Sequence, residues 1–285
     1  MRDDFAVFIL THGRSGTIST TNSLKRSGYA GKLFYIVDNE DPTVDEYKRI
    51  YGDENVIVFD KESVWEKVDT MDNFKEKKAI LYARHACFDI ARDLGLKYFI
   101  QLDDDYTRFE HRWDNGAGTL KAVTMPDIEN IFDLLINYME KTGAMTIAFC
   151  QGGDFIGGVL DPNWGKGILR KAMNSFICRT DNPIDFRGTM NEDVTTYTTL
   201  GSRGKLFLSV TLTSIVQKSS QTVKGGMTEV YKDGGTYLKS FYSVISQPSS
   251  VKVSILYSKH WRIHHKIYWD RTVPKILHEI TKKVE

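Results

Sequence analysis

The chain has 285 residues, 41% hydrophobic and 26% charged, with a formal net charge of +1. That mixture supports a sizeable core, and no apolar run approaches the ~18–20 residues of a membrane-spanning helix. Three scattered cysteines, Cys87, Cys150 and Cys178, with no CxxC spacing, argue against a zinc site or a disulfide framework and predict a reducing, cytoplasmic setting. The opening MRDDFAVFIL carries acids directly after Met-Arg and does not read as a signal peptide.

Strands and helices alternate through the first half. Residues 5–10 (FAVFIL) predict a strand, and 17–27 a short helix that stops near Gly28. Residues 33–38 (LFYIVD) predict a strand, 43–52 a helix ending in Gly52, and 56–59 (VIVF) a strand. A polar stretch, 60–74, follows. In 75–94, Ala79, Ile80, Ala83, Ala86, Cys87, Ile90, Ala91 and Leu94 recur at helical spacing, and Gly95 supplies the stop. Residues 98–102 (YFIQL) predict a strand, 125–143 a helix with Pro126 in its first turn and Gly143 past its end, and 144–150 another strand. Such alternation predicts a doubly wound α/β sheet, with ligands at the carboxyl ends of its strands.

The second half is less regular. Strands are expected at 174–179, 205–217 and 250–257, broken helix over 227–246, and a closing helix over 272–284. No Pro/Gly/Ser-rich linker separates the halves. The expected organisation is one α/β domain, 1–285, of two halves, 1–150 and 151–285, the second its C-terminal elaboration. Charge is divided too. Residues 201–285 hold 14 Lys and Arg against 5 Asp and Glu, so the front is acidic and the rear basic. An acidic front suits a cation site, and a basic rear a polyanionic partner.

The sharpest local feature is QLDDDY, 101–106. Side chains alternate along a strand, so Asp103 and Asp105 are expected on one face and Asp104 on the other, where it orients its neighbours. Two carboxylates on one face do not both stay ionised cheaply without a cation. Oxygen ligands favour Mg²⁺ or Mn²⁺, which also bind substrate phosphates. Asp also serves as helix cap and turn residue, so an Asp-x-Asp alone has a purely structural reading.

Placed after an apolar strand in an α/β chain, this pattern resembles the GT-A glycosyltransferases, and the resemblance implies a nucleotide-sugar diphosphate held by a metal on the Asp-x-Asp. It implies nucleotide contacts from Thr11 and Arg14 in the first strand and loop, from Asp38 at the end of the second strand, and from Arg84, with Asp104 also on the donor. The four glycines around Asp154 in CQGGDFIGG (150–158) suggest close approach to a ligand, with Asp154 on the sugar hydroxyls, or else a flexible loop. MNEDVTTY (190–197) looks like the motif that supplies a catalytic base, with Asp193 as base and Glu192 as neighbour or rival; helix capping is the competing reading. In WRIHHKIYW (261–269), His264 or His265 is expected to complete the metal's coordination.

A closer resemblance covers nearly the whole chain. Together THGR, YIVDNEDPTVDEY, YARHACFDIA, QLDDDY, FCQGGDFIGG, RKAMNSFICRTDNP, MNEDVTTYTTLGSRG, GGMTEVYKDGGTYLKSFYSV and RIHHKI resemble the TET-associated glycosyltransferases of bacteriophages. The resemblance implies a GT-A enzyme that moves a sugar from a nucleotide donor, of the UDP-sugar class, to 5-hydroxymethylpyrimidine, typically 5-hydroxymethylcytosine, in phage DNA. A partner TET-like dioxygenase would make the hydroxymethyl group, since this chain has no His-x-Asp iron motif. The basic, aromatic rear fits DNA independently, with Lys239, Arg262, Lys266 and Trp261 as candidate contacts. Rival readings are a glycan or protein acceptor, or a DNA-binding module without catalysis.

Overall fold

The computed structural model describes all residues except 1, 74–76, 78, 152–154, 156–158, 160–173, 218–237, 258–260 and 273–285, together with the side chains at 256, 257 and 262. The strands are β1 (Phe5–Leu10), β2 (Leu33–Asp38), β3 (Val56–Phe59), β4 (Tyr98–Asp103), β5 (Tyr106–Asp114), β6 (Leu120–Thr124), β7 (Thr146–Gln151), β8 (Phe176–Arg179), β9 (Phe207–Gln217), β10 (Val251–Tyr257) and β11 (Trp261–Ile267). The helices are α1 (Ser19–Arg26), α2 (Val44–Tyr51), α3 (Lys61–Trp65), α4 (Ile80–Asp93), α5 (Ile128–Thr142) and α6 (Glu192–Ser202), and residues 238–246 are also helical.

Nine strands form one mixed sheet in the order β3-β2-β1-β4-β8-β7-β9-β5-β6. Its β3-β2-β1-β4 part is parallel, and β7 runs parallel to β9. The other pairs are antiparallel. A separate two-stranded sheet joins β10 to β11. This is the mixed, doubly wound α/β class expected from the alternation of elements.

The central strands are apolar throughout because both their faces are covered. In β1, Val7 and Ile9 face a core built with Leu24 of α1, Tyr47 of α2 and Ile128, Phe132 and Ile136 of α5. Ala6, Phe8 and Leu10 face the opposite core, with Leu81, Tyr82, Cys87 and Phe88 of α4 and Val194 and Tyr197 of α6. Thus α1, α2 and α5 cover one face, and α4 and α6 the other. From β1 the chain moves outward to β2 and β3, then returns to add β4 on the opposite side of β1. Ligands bind at such a switch point, outside the carboxyl ends of the strands.

Several expectations shift. The helix expected at 125–143 begins at Ile128, two residues beyond Pro126, because Asp127 caps it by accepting from the Asn130 N–H. Gly143 ends it in the left-handed region, as its position implied. Within the polar stretch lies α3, one short turn capped by Asp60, which accepts from the Glu62 N–H. No strand is expected from the sequence at 106–124, where β5 and β6 lie. A register shift between Tyr106 and Arg108 breaks the alternation of β5. Four of the five residues of β6, at the sheet edge, are exposed; with no buried face it leaves no apolar pattern. The expected helix at 272–284 lies almost wholly outside the described residues. Of the helix-like 227–246, residues 238–246 are described and helical.

Candidate active site

The loops after β1, β2 and β4 meet at the switch point. Leu10 and Asp103 are register partners at the ends of β1 and β4. Asp104 and Asp105 turn the chain from β4 into β5, so the strand geometry expected for all three acids ends at Asp103. The turn is fastened from behind by α1. Ser19 and Thr20 donate their backbone N–H groups to the Asp104 carbonyl, at 2.9 and 3.3 Å. The Thr20 hydroxyl donates to the Asp103 carbonyl at 2.6 Å and accepts from the Tyr106 N–H at 3.0 Å.

Asp104 points toward β1. Its carboxylate accepts from the Thr11 hydroxyl and from Arg14 Nη1, each at 2.8 Å. Thr11 also meets the Tyr47 hydroxyl at 2.8 Å, and Tyr47 accepts from the Arg14 N–H at 2.8 Å. Asp104 thus ties β4 to the first loop. Beside it, Asp38 accepts from His12 Nδ1 at 2.7 Å and pairs with Lys61 Nζ at 2.6 Å. Burial works against the Asp38 charge, but His12 and Lys61 outweigh it and hold the carboxyl below its usual range. His12 is raised in turn, chiefly by its hydrogen bond to Asp38. The Gly13 N–H donates to Asp41 at 2.6 Å. His12, Asp41, Tyr47 and Lys61 are therefore built into this corner; THGR and YIVDNEDPTVDEY contain the first three without showing this role.

The neighbouring corner is the reverse. Asp103 and Asp105 each keep one buried carboxylate oxygen, Oδ1, with no hydrogen bond among the described residues. Arg84 Nη2 is 3.6 Å from Asp103 Oδ1, and Gln217 Nε2 donates to Asp105 Oδ2 at 3.2 Å. Burial pushes the Asp103 carboxyl well above its usual range, against the pull of Arg84, with Asp105 adding repulsion. Burial and then Asp104 push Asp105 up to about 6.

Arg84 lies in α4, 1% exposed. Its Nε donates to Glu192 Oε1 at 3.0 Å and its Nη1 to Gln101 Oε1 at 3.3 Å. The guanidinium lies 5.0 Å from the Phe176 ring centroid and 5.6 Å from that of Phe186. Burial works against its charge, yet Glu192 and Asp103 raise its pKa. Arg84, expected on the nucleotide, is turned here to groups of the protein. A guanidinium enclosed by Glu192, Asp103, Gln101 and two rings is a bridge that positions the two carboxylates.

Glu192 and Asp193 open α6 and are both buried. Burial pushes Glu192 up despite Arg84, while the Asp193 carboxylate makes no side-chain hydrogen bond among the described residues. Asn191 precedes them in the left-handed region, at φ 58°. Its amide donates to the Ser243 hydroxyl at 2.6 Å and meets His265 Nδ1 at 3.2 Å.

The histidines need a correction. Strand β11 pairs with β10 in the separate small sheet, and His265 is turned to Asn191. Among the described residues, no group of three or more His, Cys, Asp and Glu forms a metal cluster. Asp103, Asp105, His264 and His265 are therefore not assembled as one ligand set. Of the candidate DNA contacts, Lys239 is half-buried within the helical residues 238–246, whereas Lys266 and Trp261 lie exposed on β11. Asp154 and the Arg262 side chain lie outside the described residues. No helix among the described residues is long and apolar enough to cross a membrane.

Comparison with known proteins gives a family. No curated protein matches the sequence. Among solved structures, the chain is similar to glucosyl-3-phosphoglycerate synthase from Mycobacterium tuberculosis, in complex with Mg²⁺ and uridine diphosphate. The identity is 12%, over 92% of this chain and 87% of that one, with a TM-score of 0.46. It is also similar to a mannosyltransferase from Pyrobaculum calidifontis in complex with GDP-Man and Mn²⁺, at 8% identity over 87% and 75% of the two chains, with a TM-score of 0.46. The TET-Associated Glycosyltransferase family matches residues 5–226, a span that contains every strand of the nine-stranded sheet. The protein belongs to that family and is a glycosyltransferase.

Proposed function

We propose that this glycosyltransferase moves a sugar from a nucleotide-sugar, of the UDP-sugar class, to the hydroxyl of 5-hydroxymethylpyrimidine in DNA, with 5-hydroxymethylcytosine as the acceptor. The observation that carries the donor side is the pair of buried Oδ1 atoms of Asp103 and Asp105, left without hydrogen bonds among the described residues where the β1 and β4 loops meet. Asp103 and Asp105 would offer hard oxygen donors to a divalent cation, Mn²⁺ or Mg²⁺. When bound, that ion supplies charge neutralisation for the departing diphosphate. The complexes named above hold Mg²⁺ with uridine diphosphate and Mn²⁺ with GDP-Man, in keeping with this donor chemistry.

The chain's own groups divide the remaining work. Thr11, Arg14 and Asp38 line the loops that receive the nucleoside, with Asp104 holding the first two in place. Asp193 is the base. It takes the acceptor hydroxyl's proton as that oxygen bonds to the anomeric carbon and the bond to the diphosphate breaks. Glu192 is the poorer base because Arg84 already holds its carboxylate. The acceptor assignment rests on the family together with the basic rear of the chain. The hydroxymethyl group comes from a separate dioxygenase of the TET-like class.

The test is transfer by purified protein with Mn²⁺, 5-hydroxymethylcytosine DNA and a panel of nucleotide-sugars, read by nucleoside mass spectrometry. The expected result is a nucleoside heavier by one glycosyl unit with one donor. No added mass with any donor overturns the acceptor and donor together. Transfer to free glycans but not to DNA overturns the acceptor alone.

A further inference from the structure

The small β10–β11 sheet has two unlike faces. Directly opposed residues of an antiparallel pair share a face, so the register Val253↔His265 and Ile255↔Ile263 defines one face, and Lys252↔Lys266 and Ser254↔His264 the other. The first face is mostly apolar. The second begins with two lysines directly opposite each other, an arrangement that repels and destabilises an isolated sheet. Neither strand, VKVSILY nor WRIHHKI, contains an acid to relieve it.

The repulsion is concentrated rather than dispersed. Lys252 Nζ and Lys266 Nζ lie 5.8 and 5.6 Å from the centroid of the Tyr268 ring, and the Arg271 guanidinium lies 5.1 Å from it. All three cations are exposed, and none is ion-paired to a carboxylate among the described residues. Arg271 Nη1 is held instead by the Ser249 carbonyl at 2.9 Å. Three cations around one half-buried aromatic ring are matched by a ligand with several negative charges and a flat π-surface nearby. A nucleic-acid strand carries both, whereas an acidic peptide offers the charge without stacked rings.

The cluster is also fixed to the catalytic end of the fold. Ile267 and Trp269, on either side of Tyr268, pack against the core that holds α4 and α6. The Trp269 ring stacks on Tyr197 of α6 at 5.7 Å and 17°, and His265 meets Asn191 immediately before Glu192. A strand docked at Tyr268 is thereby referenced to the helix that carries Glu192 and Asp193.

We infer that Lys252, Lys266 and Arg271 around Tyr268 form a docking surface for the phosphate backbone of the acceptor DNA. The inference rests on the proposed DNA acceptor and assigns the surface that holds its backbone. The test measures anisotropy of a labelled duplex containing 5-hydroxymethylcytosine, titrated with the full chain over a range of salt. Lys252→Thr, Lys266→Thr and Arg271→Ala should each weaken binding and flatten the dependence of log K on log salt by about 0.9 for each phosphate no longer neutralised. The unfolding midpoints of the two Lys→Thr variants should stay level or rise, because the opposed like charges are gone.

Unchanged affinity and salt slope in the Lys252→Thr/Lys266→Thr double variant overturns the surface, as does absence of duplex binding by the unaltered chain. Equal loss of binding to an acidic peptide or to anionic vesicles also overturns it, by showing a general anion patch. Hydrolysis of the nucleotide-sugar in the absence of DNA is measured in parallel and should be unaffected by the three substitutions. If the variants no longer bind DNA but the unaltered chain transfers no sugar to it, the surface stands and the proposed reaction falls. If sugar is transferred but the variants bind normally, the reverse holds.

Discussion

Two adjacent corners of the site treat their carboxylates in opposite ways. At the loops after β1 and β2, carboxylates meet cations of the protein: Asp38 has His12 and Lys61, and Asp104, reaching over from the end of β4, has Arg14. After β4 and at the start of α6, Asp103 and Glu192 share Arg84, and Asp105 is held by the neutral Gln217 amide. The consequence shows in protonation. Asp38 is held low, whereas Asp103, Asp105 and Glu192 are all pushed up. In the first corner Asp38 and Asp104 are each paired within the protein. The second is short of positive charge, and a group from solution is needed to balance it.

The largest effect should come from removing the deficit at its centre. Asp105→Ala should abolish transfer under conditions where the unaltered chain reacts to completion, with the circular-dichroism spectrum retained. Near-normal turnover in that variant would break the contrast, because the buried Oδ1 would have no task. Asp193→Asn should come next, with transfer reduced about 10²–10⁴-fold and nucleotide-sugar binding unchanged by calorimetry. Loss of donor binding instead would move Asp193 out of the base role.

Arg84→Met tests the bridge through stability. Truncating it leaves Glu192 and Asp103 buried without their cation, and breaking a buried pair costs about 3–5 kcal/mol. The check is urea unfolding of the metal-free chain. A cost near zero would mean that water reaches these carboxylates and that the corner is not short of charge after all.

How much of this is legible in the sequence differs between the two corners. The parallel core can be read because β1 and β4 are unbroken apolar runs flanked by turn formers, and β4 ends in the acids themselves. Asp103, Asp104 and Asp105 announce a site because three adjacent acids repel one another and strain any purely structural use. The partners that decide their fate do not. His12, Lys61 and Gln217 are single polar residues in unremarkable surroundings, brought in by pairings across 26, 23 (residue 38 to residue 61) and 112 positions. Arg84 stands out, but its position in a helical stripe does not reveal that it turns inward to Glu192, 108 residues away. Motif order alone joins the histidines to the metal; strand pairing sets them in the small sheet, with His265 turned to Asn191.

A stability experiment sharpens the contrast by setting function against folding. Asp105 is held near 6 in the folded chain and has an ordinary, lower value when unfolded. An acid raised on folding favours the native state at low pH, and that contribution is lost as pH rises through the folded value. At pH 8 without metal, Asp105 is therefore a burden. Asp105→Asn should stabilise the metal-free chain by about 1–3 kcal/mol there, and the gain should shrink below pH 6 and vanish near pH 4. Adding Mn²⁺ should raise the unfolding midpoint of the unaltered chain and leave that of Asp105→Asn nearly unmoved. Equal shifts in both would detach the cation from this carboxylate.

The smallest expected effect concerns how α6 is aimed. Asn191 sits at φ 58°, where a side chain with a Cβ is strained by ~1–2 kcal/mol unless, as with Asn, a local polar bond compensates. Asn191→Gly removes the amide but relieves the strain; Asn191→Ala removes the amide and keeps it. The alanine variant should therefore be less stable than the glycine variant by ~1 kcal/mol. Both lack the bonds to Ser243 and His265, so both should slow transfer to a similar degree with donor affinity unchanged. Equal stability of the two variants would show that the helix start relaxes out of the left-handed region. In that case Glu192 and Asp193 are aimed by the Arg84 bridge alone rather than by the contact with β11.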